Sequence, residues 1–383
     1  MNLANNWEVI TFEEAFQYCP KVKHKAGEGL QSGKYRFFTS SPTQSKYLDK
    51  YEFDGEYLVV GTGGEPSIHY CNGAFATSTD CFVLKSIKKD IHTKFVYYFL
   101  KGNISILKRG FRGAGLKHLS RNYLSKIQLP KPSLEIQKKI VLILEKAENS
   151  RELRVKANSL IENLLKSIYL DMFTSSESVE WEETQIKELA LQQKGSMRTG
   201  PFGSNLKHGE FVNKGIAVLG IDNAVNNYFS WKERRFITQE KYQELKQYRV
   251  FPRDVIITIM ATIGRSAVIP GDIPIAINTK HLAAITVDEE KVNPYFLSYS
   301  IHSNPYILHQ LKLHNQGAIM DGLNLGIIKE LKMKLPPIKL QNEFEKKYHK
   351  LRTMEKLGTE VLVELDNLSN ILIQKAFSGE LIC

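Results

Sequence analysis

The residues of this chain best equipped for chemistry are cations, amides and hydroxyls set among glycines. The densest group is Lys108-Arg109-Gly-Phe-Arg112-Gly-Ala-Gly-Leu-Lys117-His118. Glycines let backbone N–H groups come close to an anion and the cations neutralise it, which is the make-up of a phosphate-gripping loop. Arg109, Arg112 and Lys117 are the strongest phosphate candidates; a solvated basic loop is the plain alternative. A second stretch, Arg198-Thr-Gly200-Pro-Phe202-Gly-Ser204 with Lys207 just after it, pairs small residues with one arginine suited to a guanine edge or a phosphate. Its alternative is a tight turn with a surface arginine. Arg265 sits between two apolar runs, and Asn278-Thr279-Lys280-His281 puts amide, hydroxyl and cation together, as base edges and phosphate would require, or as a strand-entry cap would. In the first half, Arg36, the run Phe38-Thr-Ser40-Ser-Pro-Thr43-Gln44-Ser-Lys46, the turn Thr62-Gly63-Gly64 and the segment Thr77-Ser78-Thr79-Asp80 offer hydrogen-bonding side chains that equally fit ordinary turns. His314 and Gln316 fall at a later counterpart of the basic loop.

Catalytic constellations are missing from the sequence. Asn293-Pro-Tyr-Phe296 approaches an adenine-methylating motif but lacks the second proline, and reads better as a helix start capped by asparagine with proline at its first position. Gly61-Thr-Gly-Gly64 is no cofactor loop, and no phosphate cradle of the G-x-x-x-x-G-K-[ST] kind occurs. Glu289-Glu-Lys291 has no upstream Pro-Asp partner to make a nuclease centre. The 10 histidines show no H-E-x-x-H or other ligand spacing, and the 4 cysteines form no C-x-x-C pair, so metal sites and a disulfide framework are not expected. The expectation is therefore no catalytic residue, no metal and no cofactor in this chain. No run of about 18 apolar residues spans a membrane, and the start MNLANNWEVITFEE has neither a basic nor an apolar signal region, which points to the cytoplasm.

The elements that position these residues follow from composition and periodicity. A chain of 383 residues, 42% of them hydrophobic, can bury two or three cores. The net charge of +11 favours an anionic partner, and it is not spread evenly. Residues 1–131 hold 19 Lys and Arg against 11 Asp and Glu, and residues 179–335 hold 19 against 16. The segments 132–178 and 336–383 are neutral, with 7 against 7 in each. Both charged segments have β-type runs (56–60 and 80–84; 216–219, 254–259 and 281–287) and short helical patterns at 93–100, 294–301 and 305–313. They read as α+β globules whose loops do the work.

The neutral segments repeat each other. Residues 113–173 fall on 317–377 without a gap, with 10 identities, among them Gly113/Gly317, Pro132/Pro336, Gln137/Gln341 and Phe173/Phe377. From Ile136 to Ile168, and from Leu340 to Leu372, positions spaced 4-3-4-3 are mostly apolar, the seam of a coiled coil. Each run of about 40 residues opens just after a proline and would reach roughly 60 Å as a helix. Such helices pair most simply with each other, antiparallel, with one globule toward each end; the alternative is two unconnected hairpins. A kink or break at Gly358 is possible, since glycine costs on the order of 1 kcal/mol there. A second apolar set (Val141, Leu144, Leu160, Leu165, Tyr169) suits either further helices from a partner or the chain's own globules. The globules repeat more loosely: Trp7–Ala15 resembles Trp181–Leu189, and Thr77–Asp80 holds the place in order that Ile277–Lys280 holds later.

LPKPSLEIQKKI (129–140), LPPIKLQNEF (335–344) and the closing AFSGEL (376–381) give this order a family resemblance. It resembles the specificity subunits of type I DNA restriction–modification systems. The segment 196–223, followed by DVIITIMATIGRSAVIP and AINTKHLAAI, is similar to one type of target recognition domain there. The resemblance implies two α/β target recognition domains (1–131 and 179–335), separated by two long antiparallel coiled-coil spacer helices (132–178 and 336–383) in an internal pseudo-twofold repeat. It implies that each domain reads one half of a split, asymmetric site on double-stranded DNA, and that the helices set the spacing. It also implies two methylation subunits docked on the helices and carrying S-adenosylmethionine, with restriction subunits supplying ATP- and Mg-dependent chemistry. The first globule lacks the Gly-Pro-Phe-Gly-Ser loop of the second, which implies that the two read different sequences. The competing reading is a coiled-coil assembly protein whose basic globules bind RNA or an acidic protein.

Overall fold

The computed structural model describes residues 7–113, 115, 117–174, 180–231, 234–315 and 322–381. It divides into two compact units, Met1–Ala157 with Gly358–Cys383, and Asn158–Leu357. The first unit holds a four-stranded antiparallel sheet in the order Phe16–Tyr18, Cys81–Ser86, Glu56–Gly61, Ile68–Asn72. Its smaller sheet runs Lys46–Leu48, Tyr35–Phe38, Phe75–Thr77, and the last two strands are parallel. The second unit repeats the plan. Met197–Thr199, Leu282–Ile285, Val255–Thr258 and Ser266–Val268 form one sheet. Arg235–Ile237, Ile216–Leu219 and Ala276–Asn278 form the other, again with a parallel pair, plus an edge strand Arg249–Val250.

The expected strands are present within a residue or two, as are helices Thr93–Gly102, Pro294–Ser303 and Pro305–Asn315. Strands such as Tyr35–Phe38 and Ala276–Asn278 were not visible in the pattern, because three or four residues are too few to show a period. Each globule opens with its tryptophan-led segment as a strand that pairs with the one leading into a long helix: Glu8–Thr11 with Gln128–Lys131, and Glu183–Gln185 with Lys332–Lys334.

The two long helices are Leu134–Phe173 and Ile338–Ser378, and helical structure continues through Gly358, so no break forms there. Each gives one half to each unit. In the first unit Ile140, Val141 and Leu144 share a core with Phe95, Phe99, Ala376 and Phe377, and Arg151 pairs with Asp366. In the second, Leu165, Tyr169 and Phe173 share a core with Phe296, Phe344 and Leu351, and Glu162 pairs with Arg352. Within the second unit the contacts run in opposite senses along the two helices, Glu162 with Arg352 and Tyr169 with Phe344, so the halves are antiparallel. The regular 4-3-4-3 seam is only partly kept. Its members Leu164, Met354, Val361 and Leu368 are exposed, whereas Val141, Leu144, Leu165 and Tyr169 of the second apolar set are buried. The globule covers one side of each helix and selects the buried face; a two-helix seam alone does not. Leu160, also of that set, stays 53% exposed.

One buried side chain fastens each long helix to its unit, and it does so twice in the same way. Gln137 is fully buried; its amide donates to the carbonyls of Asp90 and Pro132 and its oxygen accepts from the His92 N–H, at 2.8–2.9 Å. Gln341 is fully buried too; it donates to Lys291 and Pro336 carbonyls and accepts from the Asn293 N–H at 2.8 Å. His92 and Asn293 are the N-cap positions of the equivalent helices Thr93–Gly102 and Pro294–Ser303. The identity of these glutamines across a diverged repeat thus has a mechanical cause. Replacing Gln341 by alanine strands buried backbone groups at about 1–3 kcal/mol each. The expected outcome is a loss of about 3 kcal/mol in urea unfolding, and an unchanged midpoint would contradict it.

Candidate nucleic-acid interface

In the first unit five separate stretches of chain converge where the parallel strands Tyr35–Phe38 and Phe75–Thr77 end. Ser40 Oγ donates to the Asp80 carbonyl at 2.5 Å and accepts from Gly63 N–H at 3.3 Å. Thr62 Oγ1 donates to the same carbonyl at 2.9 Å, and the Thr62 carbonyl accepts from Leu119 N–H at 2.8 Å. Ser78 N–H donates to Phe38, and a backbone bridge joins Gly63 to His118. The hairpin Phe111–Arg112 with His118–Leu119 therefore sits beside the Thr62–Gly64 turn. Ser40, Thr62, Gly63 and Thr79 are half-buried and His118, Lys117, Arg112 and Arg109 are exposed. Among the described residues Arg109, Arg112 and Lys117 take part in no ion pair, so their charge faces outward. The result is a loop surface of hydroxyls, backbone amides and unneutralised cations.

The second unit builds the same convergence from different side chains. Thr279 N–H donates to Leu219, Ile259 N–H to His281, and Leu323 N–H to Ile259. These match the bonds of Ser78 to Phe38, of Thr62 to Asp80 and of Leu119 to Thr62 in the first unit. Gly200 lies against this cluster: a Cβ there would come within 2.2 Å of the Thr279 carbonyl carbon, so only glycine fits. Thr279, Lys280 and His281 are half-buried, and Arg265 and His314 are exposed. Burial, then the charges of Lys280 and Arg235, hold the His281 imidazole below its ordinary pKa, so it is neutral at physiological pH.

Several of the sequence candidates are placed elsewhere. Arg198 is inside the fold, 8% exposed. Its guanidinium donates to the Arg249 and Gly195 carbonyls, to Thr286 Oγ1 and to the carboxylate of Asp254. It cannot read a base while it holds Asp254. Asn278, Thr77 and Ser78 are fully buried. Asn278 donates to the Leu282 carbonyl at 3.0 Å and Ser78 Oγ lies 3.9 Å from Cys81 Sγ, so these are supports beneath the loops. Lys46 Nζ is spent on the Ala26 carbonyl at 2.7 Å, and Gln44 on the Lys46 carbonyl at 2.6 Å. Arg36 is exposed on its strand with its guanidinium 5.5 Å from the Phe38 ring. Thr43, Phe202 and Lys207 are exposed. Gln316 and the Ser204 side chain lie outside the described residues.

Sequence reasoning missed the connector between Ile216–Leu219 and Arg235–Ile237, which occupies the place of the Phe38–Lys46 run. It carries Asn227 at φ 61°, Tyr228 and Trp231, with Arg234 stacked 5.3 Å from the Trp231 ring. Arg352 of the second long helix lies 4.8 Å from the Tyr228 ring. The signal was available in the asparagines and aromatics of GIDNAVNNYFSW (220–231), but only the shared strand order shows that this loop is the counterpart. No group of three or more potential metal ligands occurs among the described residues, and no helix among them is long and apolar enough to cross a membrane.

The comparisons with known proteins agree on one family. The family model described as type I restriction modification DNA specificity domain matches twice, over residues 4–163 and 178–362. The type I restriction enzyme EcoBI specificity subunit of Escherichia coli is 23% identical over 358 residues, covering 85% of this chain and 74% of its own length. The type I restriction enzyme MjaVIII specificity subunit of Methanocaldococcus jannaschii is 21% identical over 412 residues, covering 100% of this chain and 94% of its own. Among solved structures, the type I restriction–modification S subunit from M. genitalium superposes with a TM-score of 0.61 at 17% identity, covering 98% of both chains.

Proposed function

The chain belongs to the type I restriction modification DNA specificity family, and from that membership we propose how its parts divide the work of a sequence-recognising, non-catalytic subunit. Residues 1–131 and 179–335 act as two target recognition domains, each reading one half of a bipartite, asymmetric site on double-stranded DNA. Residues 132–178 and 336–383 act as antiparallel spacer helices that fix the distance between the half-sites. The observation that carries this reading is the duplicated loop convergence, built on one strand order but furnished with unlike side chains, as two readers of different sequences require. Direct contacts are assigned to the exposed members of the two clusters, with Arg198, Asn278, Thr77 and Ser78 as their supports.

The long helices leave large apolar side chains in the open, Leu153 at 68%, Leu160 at 53%, Leu357 at 55% and Val363 at 58%. Exposed apolar surface of this kind fits docked helices. It is assigned to two methylation subunits, which bring S-adenosylmethionine, while ATP and Mg belong to restriction subunits reached through the complex. This chain itself carries no cofactor and works in the cytoplasm.

Deleting one heptad from each long helix tests the reading. Seven residues shorten a helix by about 10 Å, about three base pairs of duplex at 3.4 Å each. Sequencing of methylated adenine in a host expressing the chain with its methylation subunits is expected to show both half-sites unchanged and the gap shortened by about three pairs. Methylation at the original spacing would overturn the ruler.

A further inference from the structure

The first unit contains a cavity of ≈ 710 Å³ lined by residues of the basic stretch and of the helices Ile104–Lys108 and Arg121–Ser125. Its wall carries three cations, Arg109, Arg112 and Lys126, with amides and hydroxyls from Asn103, Asn122 and Ser120. Among the described residues no carboxylate lines it, and none of the three cations has an ion-pair partner. Three like charges around one hollow repel each other unless an anion lies between them.

The internal repeat supplies a control on the need for these charges. In the 204-residue register Lys126 falls on Glu330, and extending it upstream sets Arg109 and Arg112 on Leu313 and Gln316; the 201-residue offset of the preceding helices would set them on Gln310 and Leu313, likewise uncharged. The apolar supports are kept, Leu107 on Leu311 and Leu124 on Ile328, all buried. The four-stranded sheet and the parallel strand pair recur in the second unit, whose sequence has no cation at these positions, so those sheets do not require them.

We propose that this cavity is an anion subsite that takes backbone phosphates of the DNA flanking the first half-site, so that the first recognition domain grips and the second mainly reads. The proposal rests on the function proposed above and deepens it. Phosphate is favoured over an acidic protein segment because Arg112, which lines the cavity, also belongs to the loop convergence: it pairs in the hairpin with His118, which adjoins Gly63. The charge division agrees, 19 cations against 11 anions in residues 1–131 but 19 against 16 in residues 179–335.

The test grafts the second unit's residues into the first, Arg109→Leu, Arg112→Gln and Lys126→Glu, in the complex of this chain with its methylation subunits. A second variant, Lys50→Ala, Lys88→Ala and Lys89→Ala, removes three exposed charges of the same unit away from the cavity, and a third, Arg109→Ala with Arg112→Ala, introduces no new charge. Binding to the cognate duplex is measured from 50 to 300 mM salt, with ethylation interference to locate the phosphates. Loss of three contacts lowers the log–log salt slope by about 2.7 and the affinity near 0.15 M by about 100-fold. Interference should vanish on one flank only, next to the first half-site, and the control variant should keep it. Unchanged slope and interference in the graft, with wild type still discriminating cognate from random DNA, would overturn the cavity alone. Wild type failing to discriminate would overturn the underlying reading. A graft that binds DNA normally but no longer assembles with the methylation subunits would assign the cavity to protein and refute the proposal.

Discussion

Raising the salt from 50 to 200 mM is expected to weaken binding of the cognate duplex by about 1,000-fold or more. A protein neutralising about six phosphates releases their counterions, and the affinity falls with log salt at about 0.9 per contact. The chain has the means: a net charge of +11, confined to the two globules, and exposed cations at both loop convergences. Arg112, Lys117 and Arg109 in the first unit and Arg265 in the second are exposed and, among the described residues, form no ion pair with a carboxylate. Exposed cations with no internal partner keep their charge for the ligand, whereas Arg198, Arg253 and Lys241 have spent theirs within the fold. Anisotropy titration over that salt range checks it. A flat plot would mean that the cations are solvated ornament and would favour a reading without backbone contacts.

Replacing Arg198 with methionine is expected to destabilise the second unit by about 3–5 kcal/mol, the usual cost of leaving one partner of a buried ion pair alone. The side chains of Arg198 and Asp254 are 8% and 0% exposed. Asp254 also accepts from Thr286 Oγ1 at 2.6 Å and from Phe251 N–H at 2.8 Å, so the pair ties three separated stretches of chain together. Burial already pushes the Asp254 carboxyl up from its ordinary pKa, with Arg198 as the chief counterweight. Without Arg198 that carboxylate is desolvated and unpaired. Urea unfolding of the variant should show the loss, and adding Asp254→Leu should recover much of it, since removing both charges costs far less than removing one. A direct base contact predicts the opposite pattern: stability intact, one half-site relaxed. Recognition data on the same variant therefore separate the two roles.

Much of the architecture was legible in the residues. Pro132 and Pro336-Pro337, the apolar spacing after them and the identity of Gln137 with Gln341 announced two equivalent long helices, because helix periodicity over 40 residues accumulates a strong signal. The strands Glu56–Gly61 and Val255–Thr258 were visible as apolar runs. Short edge strands were not, nor was the pairing of Glu8–Thr11 with Gln128–Lys131, which joins residues some 120 positions apart. The family order of motifs was equally readable, since it depends on sequence alone.

Which polar residues face outward was decided only by tertiary structure. Arg198 and Arg112 look alike in the chain, each an arginine within two residues of a glycine. One meets Asp254 and Thr286, brought in from the ends of strands far along the sequence, and is sealed in; the other meets no carboxylate among the described residues and stays exposed. Local sequence fixes a residue's secondary structure and its charge. Burial and pairing depend on neighbours supplied by distant segments, and those exist only once the sheets have closed.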